Sequence, residues 1–184
     1  MKLQEKDFLV LLSADKIQQR VKQLAEQIER DIPTNIEAHF ICTLKGGIVF
    51  FGDLIRAIHR PITLDFLIAT SYGNSTETSG DVQIPLEPKD DITGRYVILV
   101  EDIVDTGLTL SRLTNLLSKQ RPLALRIACL LDKPANRRIP IEINYTGFTI
   151  NDEFVFGYGL DLKERYRHLP YLAALKQSSR RDRQ

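Results

Sequence analysis

The sequence predicts an α/β fold, a mainly parallel central sheet flanked by helices, and three observations carry that reading. Apolar, β-branched runs of five to eight residues recur along the chain, as strands buried on both faces of a parallel sheet require. Segments with apolar residues at helical spacing alternate with them. The polar and glycine-bearing connections fall just after the runs, where the carboxyl ends of parallel strands open onto a ligand crevice.

In chain order, residues 7–12 read as a short strand, and Ser13 caps a helix through about Asp31 whose Ile17, Val21, Leu24 and Ile28 share one face. Pro33 lies just beyond its end. Residues 39–44 form the next buried strand; Lys45-Gly46-Gly47 turns the chain, and Ile48, Phe51, Leu54, Ile55 and Ile58 continue as a helix. Residues 62–69 are a third strand, and residues 70–81, rich in Ser, Thr and Gly without apolar periodicity, read as a loop. Val82, Ile84 and Leu86 alternate like a returning edge strand, so residues 70–88 form a long hairpin.

The centre of the chain is 95–110. After the turn at Thr93-Gly94, residues 96–100 are uninterruptedly apolar and end in Glu101-Asp102, with Asp105 close behind. Leu108, Leu110, Leu113, Leu116 and Leu117 then recur at helical spacing, so Thr106-Gly107-Leu108-Thr109 turns into a helix N-terminus. Amides there have no intrahelical partner and lie at the positive end of the helix dipole, and two threonine hydroxyls add donors for a phosphate. Read alone, the three acids are either solvated turn charges or carboxylates placed to meet a sugar hydroxyl or a metal ion. Residues 125–131 are a further strand, ended by Asp132-Lys133-Pro134. The segments 139–143 and 147–150 carry no evident chemistry, and 152–161 combines aromatics, two glycines and acids.

With 25 basic and 24 acidic side chains the net charge is +1, which gives no electrostatic reason to expect nucleic acid or an anionic membrane. Cys42 and Cys129 sit singly in apolar runs, as reduced core thiols do. The apolar stretch at 8–12 is too short for a signal-peptide core and no segment has the length of a membrane span, so a cytoplasmic protein is expected.

Residues 100–109, Val-Glu-Asp-Ile-Val-Asp-Thr-Gly-Leu-Thr, resemble the phosphoribosyl-pyrophosphate motif of the type I phosphoribosyltransferases, and specifically of the hypoxanthine-guanine phosphoribosyltransferases. The resemblance implies transfer of ribose 5-phosphate from phosphoribosyl pyrophosphate to hypoxanthine or guanine, with Mg²⁺ as cofactor and release of pyrophosphate. By the same resemblance Asp105 takes the base proton and Lys133 meets the six-position oxygen. Glu101 and Asp102 hold the ribose and, with Asp161, the metal; Phe154 stacks on the purine, Val155 contacts its edge, and Asp161 belongs to the base-binding set too. Asp105, Thr106, Gly107, Leu108 and Thr109 cradle the phosphate, while Lys45, Gly46 and Arg167 serve the pyrophosphate. Residues 44–47 resemble a loop with a non-proline cis peptide, which falls between Leu44 and Lys45, and Ser71-Tyr72 resembles a lid. Leu108 departs from relatives that carry lysine there.

The implied organisation is a single domain over 1–184, with a core at about 13–133, a small hood at about 134–172 joined by strand 7–12, and a solvated basic tail at 176–184. A homodimer or homotetramer is implied too. Two further readings remain: transfer to xanthine, adenine or a pyrimidine, and an RNA-binding regulator built on the same fold, against which the lack of a basic stripe speaks.

Overall fold

The computed structural model describes residues 7–71 and 82–176. A six-stranded sheet forms its centre, in the order β4-β3-β2-β5-β6-β7. Its strands are β2 (Ala38–Leu44), β3 (Ile62–Ser71), β4 (Val82–Leu86), β5 (Tyr96–Val104), β6 (Ala124–Asp132) and β7 (Tyr145–Thr149). All neighbours are parallel except β3 and β4, which close the expected hairpin at one edge.

Strand periodicity divides the core. On one face Phe40 and Cys42 of β2, Ile98 and Val100 of β5 and Ala128 and Leu130 of β6 pack under α1 (Ala14–Asp31) and α2 (Ile48–Arg56). On the other, Ile41, Val97, Leu99, Ile127 and Cys129 meet Leu110, Leu113 and Leu117 of α3 (Leu108–Ser118). This two-faced burial explains why β2 and β5 lack polar alternation. Both cysteines are free and buried, as core thiols. Ser13 caps α1, its Oγ accepting from the Lys16 amide at 3.4 Å.

A separate three-stranded antiparallel sheet joins β1 (Phe8–Leu12), β9 (Leu172–Leu175) and β8 (Val155–Phe156) in the order β1-β9-β8. Phe8 meets Phe156 edge-on at 5.8 Å, which ties the start of the chain to its last strands.

Several boundaries differ from the sequence reading. β5 runs on through the acids to Val104, because Glu101, Ile103 and Val104 keep their pairing with Cys129, Leu131 and Asp132. β3 likewise includes residues 70 and 71, read as loop, and α2 stops at Arg56, leaving Ile58 packed in the core beyond it. Residues 145–149, assigned to the hood, are instead the sixth strand of the main sheet, with Tyr145 opposite Ala128. Of the pair read as a lid, Ser71 ends β3, and Tyr72 lies outside the described residues, as does 177–184 of the basic tail.

Candidate active site

The carboxyl ends of β2, β5 and β6 open into a cleft of about 620 Å³. Glu101 and Asp102 reach it from the end of β5, and Asp105, Thr106, Gly107 and Thr109 from the following loop. Lys133, Phe154 and Val155 form one side, and Gly46, Asp161 and Arg167 line it as well. Apart from the pair expected as a lid, Lys45 and Leu108 are the expected site residues that do not line the cleft. The Lys45 ammonium turns out to the rim, where it pairs with Glu164 at 3.1 Å. Leu108 begins α3, and what it offers is its amide, held at 3.4 Å from Thr106 Oγ1.

The loop expected to form a phosphate cup is shaped by backbone. Gly107 adopts φ +83°, and a side chain there would press on the Ile139 carbonyl, 2.7 Å from an added Cβ, and on Arg137. The Thr106 carbonyl accepts from the amides of Arg138 and Ile139 at 2.9 and 3.2 Å. Residues 137–139 therefore brace the loop from below. Arg137 is itself held by an ion pair to Asp132 at the end of β6. Gly107, at the N-cap of α3, has no side chain to close the helix end, and the Leu108 amide there donates to Thr106 Oγ1.

The peptide between Leu44 and Lys45 is cis, as the resemblance implied. In the loop that follows, a methyl added at Gly46 would overlap the Asp102 carboxylate, so glycine here leaves the acid its place and a larger residue would push it aside. Glu101 is 7% exposed, and its carboxyl is held well above the usual carboxylate range, first by burial and then by the charge of Asp102 beside it. The folded state thus binds this proton more tightly than the unfolded chain does. Stability contributed by the protonated form is lost as pH rises from the ordinary carboxylate value through the raised one. In metal-free buffer, Glu101→Gln, an isostere of the protonated acid, is expected to raise the melting temperature above pH 7, with the gain closing toward pH 4. Thermal melts across that range check it, and a variant less stable than the parent at pH 7.5 would contradict the assignment.

Asp161 does not join Glu101 and Asp102 in one ligand set. Its Oδ1 pairs with Arg167 Nη2 at 2.9 Å and its Oδ2 accepts the Glu164 amide at 2.8 Å. Among the described residues the single group of three converging ligand atoms is His39, Asp65 and Asp90. There Asp65 caps the amides of Lys89 and Asp90, and Arg95 lies 3.7 Å from Asp90, so the group latches the segment entering β5.

Lys133 is buried, only 7% exposed. Its Nζ donates to the Glu153 carbonyl at 2.6 Å and stands 3.9 Å from Asp152. Phe154 is 46% exposed on the cleft wall, an accessible aromatic face where most large apolar side chains are covered. Arg167 Nη1 donates to the Gly159 carbonyl at 2.9 Å, and Nη2 also approaches Glu164 at 3.4 Å. Glu164 thus spans two of the expected pyrophosphate-binding cations, with the Lys45 ammonium holding its carboxyl below the usual range. No sequence pattern marks it, because the pairing joins residues 119 apart.

Residues 11–163 match the phosphoribosyl transferase domain. The hypoxanthine-guanine phosphoribosyltransferase of Streptococcus pneumoniae is 43% identical over 168 residues, covering 91% of this chain and 93% of that protein. That of Mycobacterium tuberculosis is 46% identical over 90% of this chain and 85% of its own length. Among solved structures, a hypoxanthine-guanine phosphoribosyltransferase from Bacillus anthracis with HEPES in its active site superposes with a TM-score of 0.88 at 46% identity, covering 92% of this chain and 99% of that one. A hypoxanthine phosphoribosyltransferase from Staphylococcus aureus gives 0.89 at 40% identity, covering 94% of each. With the cup, the acids and the cis loop in place around one cleft, the chain belongs to the phosphoribosyl transferase family, among the relatives of the hypoxanthine-guanine phosphoribosyltransferases.

Proposed function

We propose that the chain converts hypoxanthine or guanine and phosphoribosyl pyrophosphate to IMP or GMP and pyrophosphate. The observation that carries this reading is the convergence of an anion-binding helix end, a carboxylate pair and a buried lysine beside an accessible phenylalanine on one cleft. The bond from the sugar's anomeric carbon to pyrophosphate breaks, and a bond to the five-membered-ring nitrogen forms. Positive charge grows on the sugar as the leaving group departs, and Glu101 and Asp102 lie where its hydroxyls and that charge are held. Asp105, exposed at the start of the phosphate loop, accepts the base proton. Lys133 offers a donor to the six-position oxygen and stabilises negative charge on the purine, which lies against Phe154. Arg167 is a forked donor suited to the pyrophosphate.

The oxygen donors fit Mg²⁺, since Gly46 leaves room for the Asp102 carboxylate and Mg²⁺ is commonly held by one or two carboxylates together with water and substrate phosphates. Asp102 would be a direct contact, with Glu101 behind it and Asp161 on the Arg167 side. When bound, the ion neutralises charge on the departing pyrophosphate. We further read the protein as a cytoplasmic homodimer or homotetramer; no helix of the described residues is long and apolar enough to cross a membrane.

The test is nucleotide formation from phosphoribosyl pyrophosphate, Mg²⁺ and a panel of nucleobases, followed by chromatography. Hypoxanthine and guanine should be consumed with Mg²⁺ and not in excess chelator; turnover of pyrimidines alone would overturn the proposal. Replacing Thr106 and Thr109 together by Val keeps the helix but removes two donors, each worth about 1.5 to 3 kcal/mol to a charged partner. The donor KM should therefore rise at least about tenfold. An unchanged KM would place the phosphate elsewhere.

A further inference from the structure

We infer that the hydrogen bond between Tyr158 and Asp53 is a positioning device that sets the pyrophosphate side of the cleft. Tyr158 is 2% exposed and stands at φ +46° between Gly157 and Gly159, both also at positive φ. Its hydroxyl donates to Asp53 Oδ2 at 2.7 Å, and the same oxygen accepts from Gln18 Nε2 on α1. Asp53 belongs to α2, the helix that begins directly after the cis loop. The bond therefore joins the body of the molecule to a turn of the second sheet's segment, and neither partner lines the cleft.

What the bond holds is a contact between two backbones. A Cβ at Gly159 would overlap the Gly46 carbonyl oxygen, so the turn rests on the cis loop with no side chain between them. Gly46 rests in turn on Asp102. On its other side Gly159 fixes Arg167, donating to its carbonyl at 2.8 Å and accepting from its Nη1 at 2.9 Å. A buried phenol is costly without a partner, so Tyr158 has one favourable position, and that position sets both Gly159 and Arg167 against the loop. The inference rests on the function proposed above, in which Gly46 and Arg167 serve the pyrophosphate; of the two residues proposed to face the base, Val155 is held instead by the pairing of β8 with β9, and Phe154 by the Leu175 amide, which donates to its carbonyl at 3.4 Å.

The test is steady-state kinetics of Tyr158→Phe with inhibition by Mg²⁺ and inorganic pyrophosphate, beside Asp53→Asn, which keeps an acceptor oxygen, and Asp53→Ala, which does not. In Tyr158→Phe and Asp53→Ala the KM for phosphoribosyl pyrophosphate and the inhibition constant for pyrophosphate should rise together by about fivefold, the size of one lost hydrogen bond. The hypoxanthine KM and kcat should stay within about twofold, and Asp53→Asn should match the parent. Unchanged pyrophosphate constants overturn the inference, as does a uniform loss in every parameter that tracks a lower melting temperature. A parent chain that forms no nucleotide overturns the proposed function, and the inference falls with it.

Discussion

Asp105→Asn is expected to lower turnover by roughly 10²- to 10⁴-fold, the usual contribution of a positioned general base. The substitution keeps the volume and the backbone of the loop. The proposed cup is made by backbone amides, that of Asp105 among them, with Gly107 at positive φ and two threonines, braced from 137–139, and the substitution leaves all of these in place. Donor binding should accordingly survive, with kcat and kcat/KM falling together. Steady-state kinetics with phosphoribosyl pyrophosphate as varied substrate separates the two constants. Undiminished kcat would remove Asp105 from the mechanism; a loss confined to donor KM would make it a binding group.

The second large effect concerns Lys133 and the identity of the base. Adenine turnover should lie at least about 10³-fold below that of hypoxanthine, since a site that loses a designed polar partner rejects the wrong ligand by as much as about 10⁴-fold. Phe154 cannot discriminate, because its ring stacks on any purine. Lys133 can. One of its three ammonium protons is committed to the Glu153 carbonyl, which fixes the side chain in the cleft and leaves donors for a six-position oxygen. An amino group at that position presents hydrogens instead, and a buried charged donor is left unpaired. In Lys133→Met the volume is similar, so hypoxanthine turnover should fall while the preference over adenine largely collapses. Measured kcat/KM for both bases in both proteins checks this, and a variant that excludes adenine as strongly as its parent would place selectivity elsewhere.

The parts of this site visible in the sequence are those written in local patterns. Ser13, the leucines of α3, the apolar β2 and β5 and the acids at the end of β5 each announce an element within a few residues. The cis peptide and the roles proposed for the site residues follow from the family motif and from no periodicity. What stayed hidden is long-range. Tyr-Thr-Gly-Phe-Thr has little apolar character and falls in the stretch expected as hood; a main-sheet strand forms there through pairing with β6. The bracing of Thr106 by residues 138 and 139 runs through backbone amides that no side-chain pattern reports. The burial of Lys133, the Lys45 to Glu164 pair and the contact of Gly159 with Gly46 all join residues distant along the chain. Sequence spacing gives no warning of them.

The central claim, that a single cleft seats a six-oxopurine nucleotide with its phosphate on the α3 end and its base at Lys133, is tested most directly by a crystal structure of the chain with IMP. The claim predicts phosphate oxygens at about 3 Å from the amides and hydroxyls of residues 106–109, the six-position oxygen at about 3 Å from Lys133 Nζ, and the purine lying against Phe154. A nucleotide bound with its phosphate away from the α3 end, or with its base out of reach of Lys133, would contradict it.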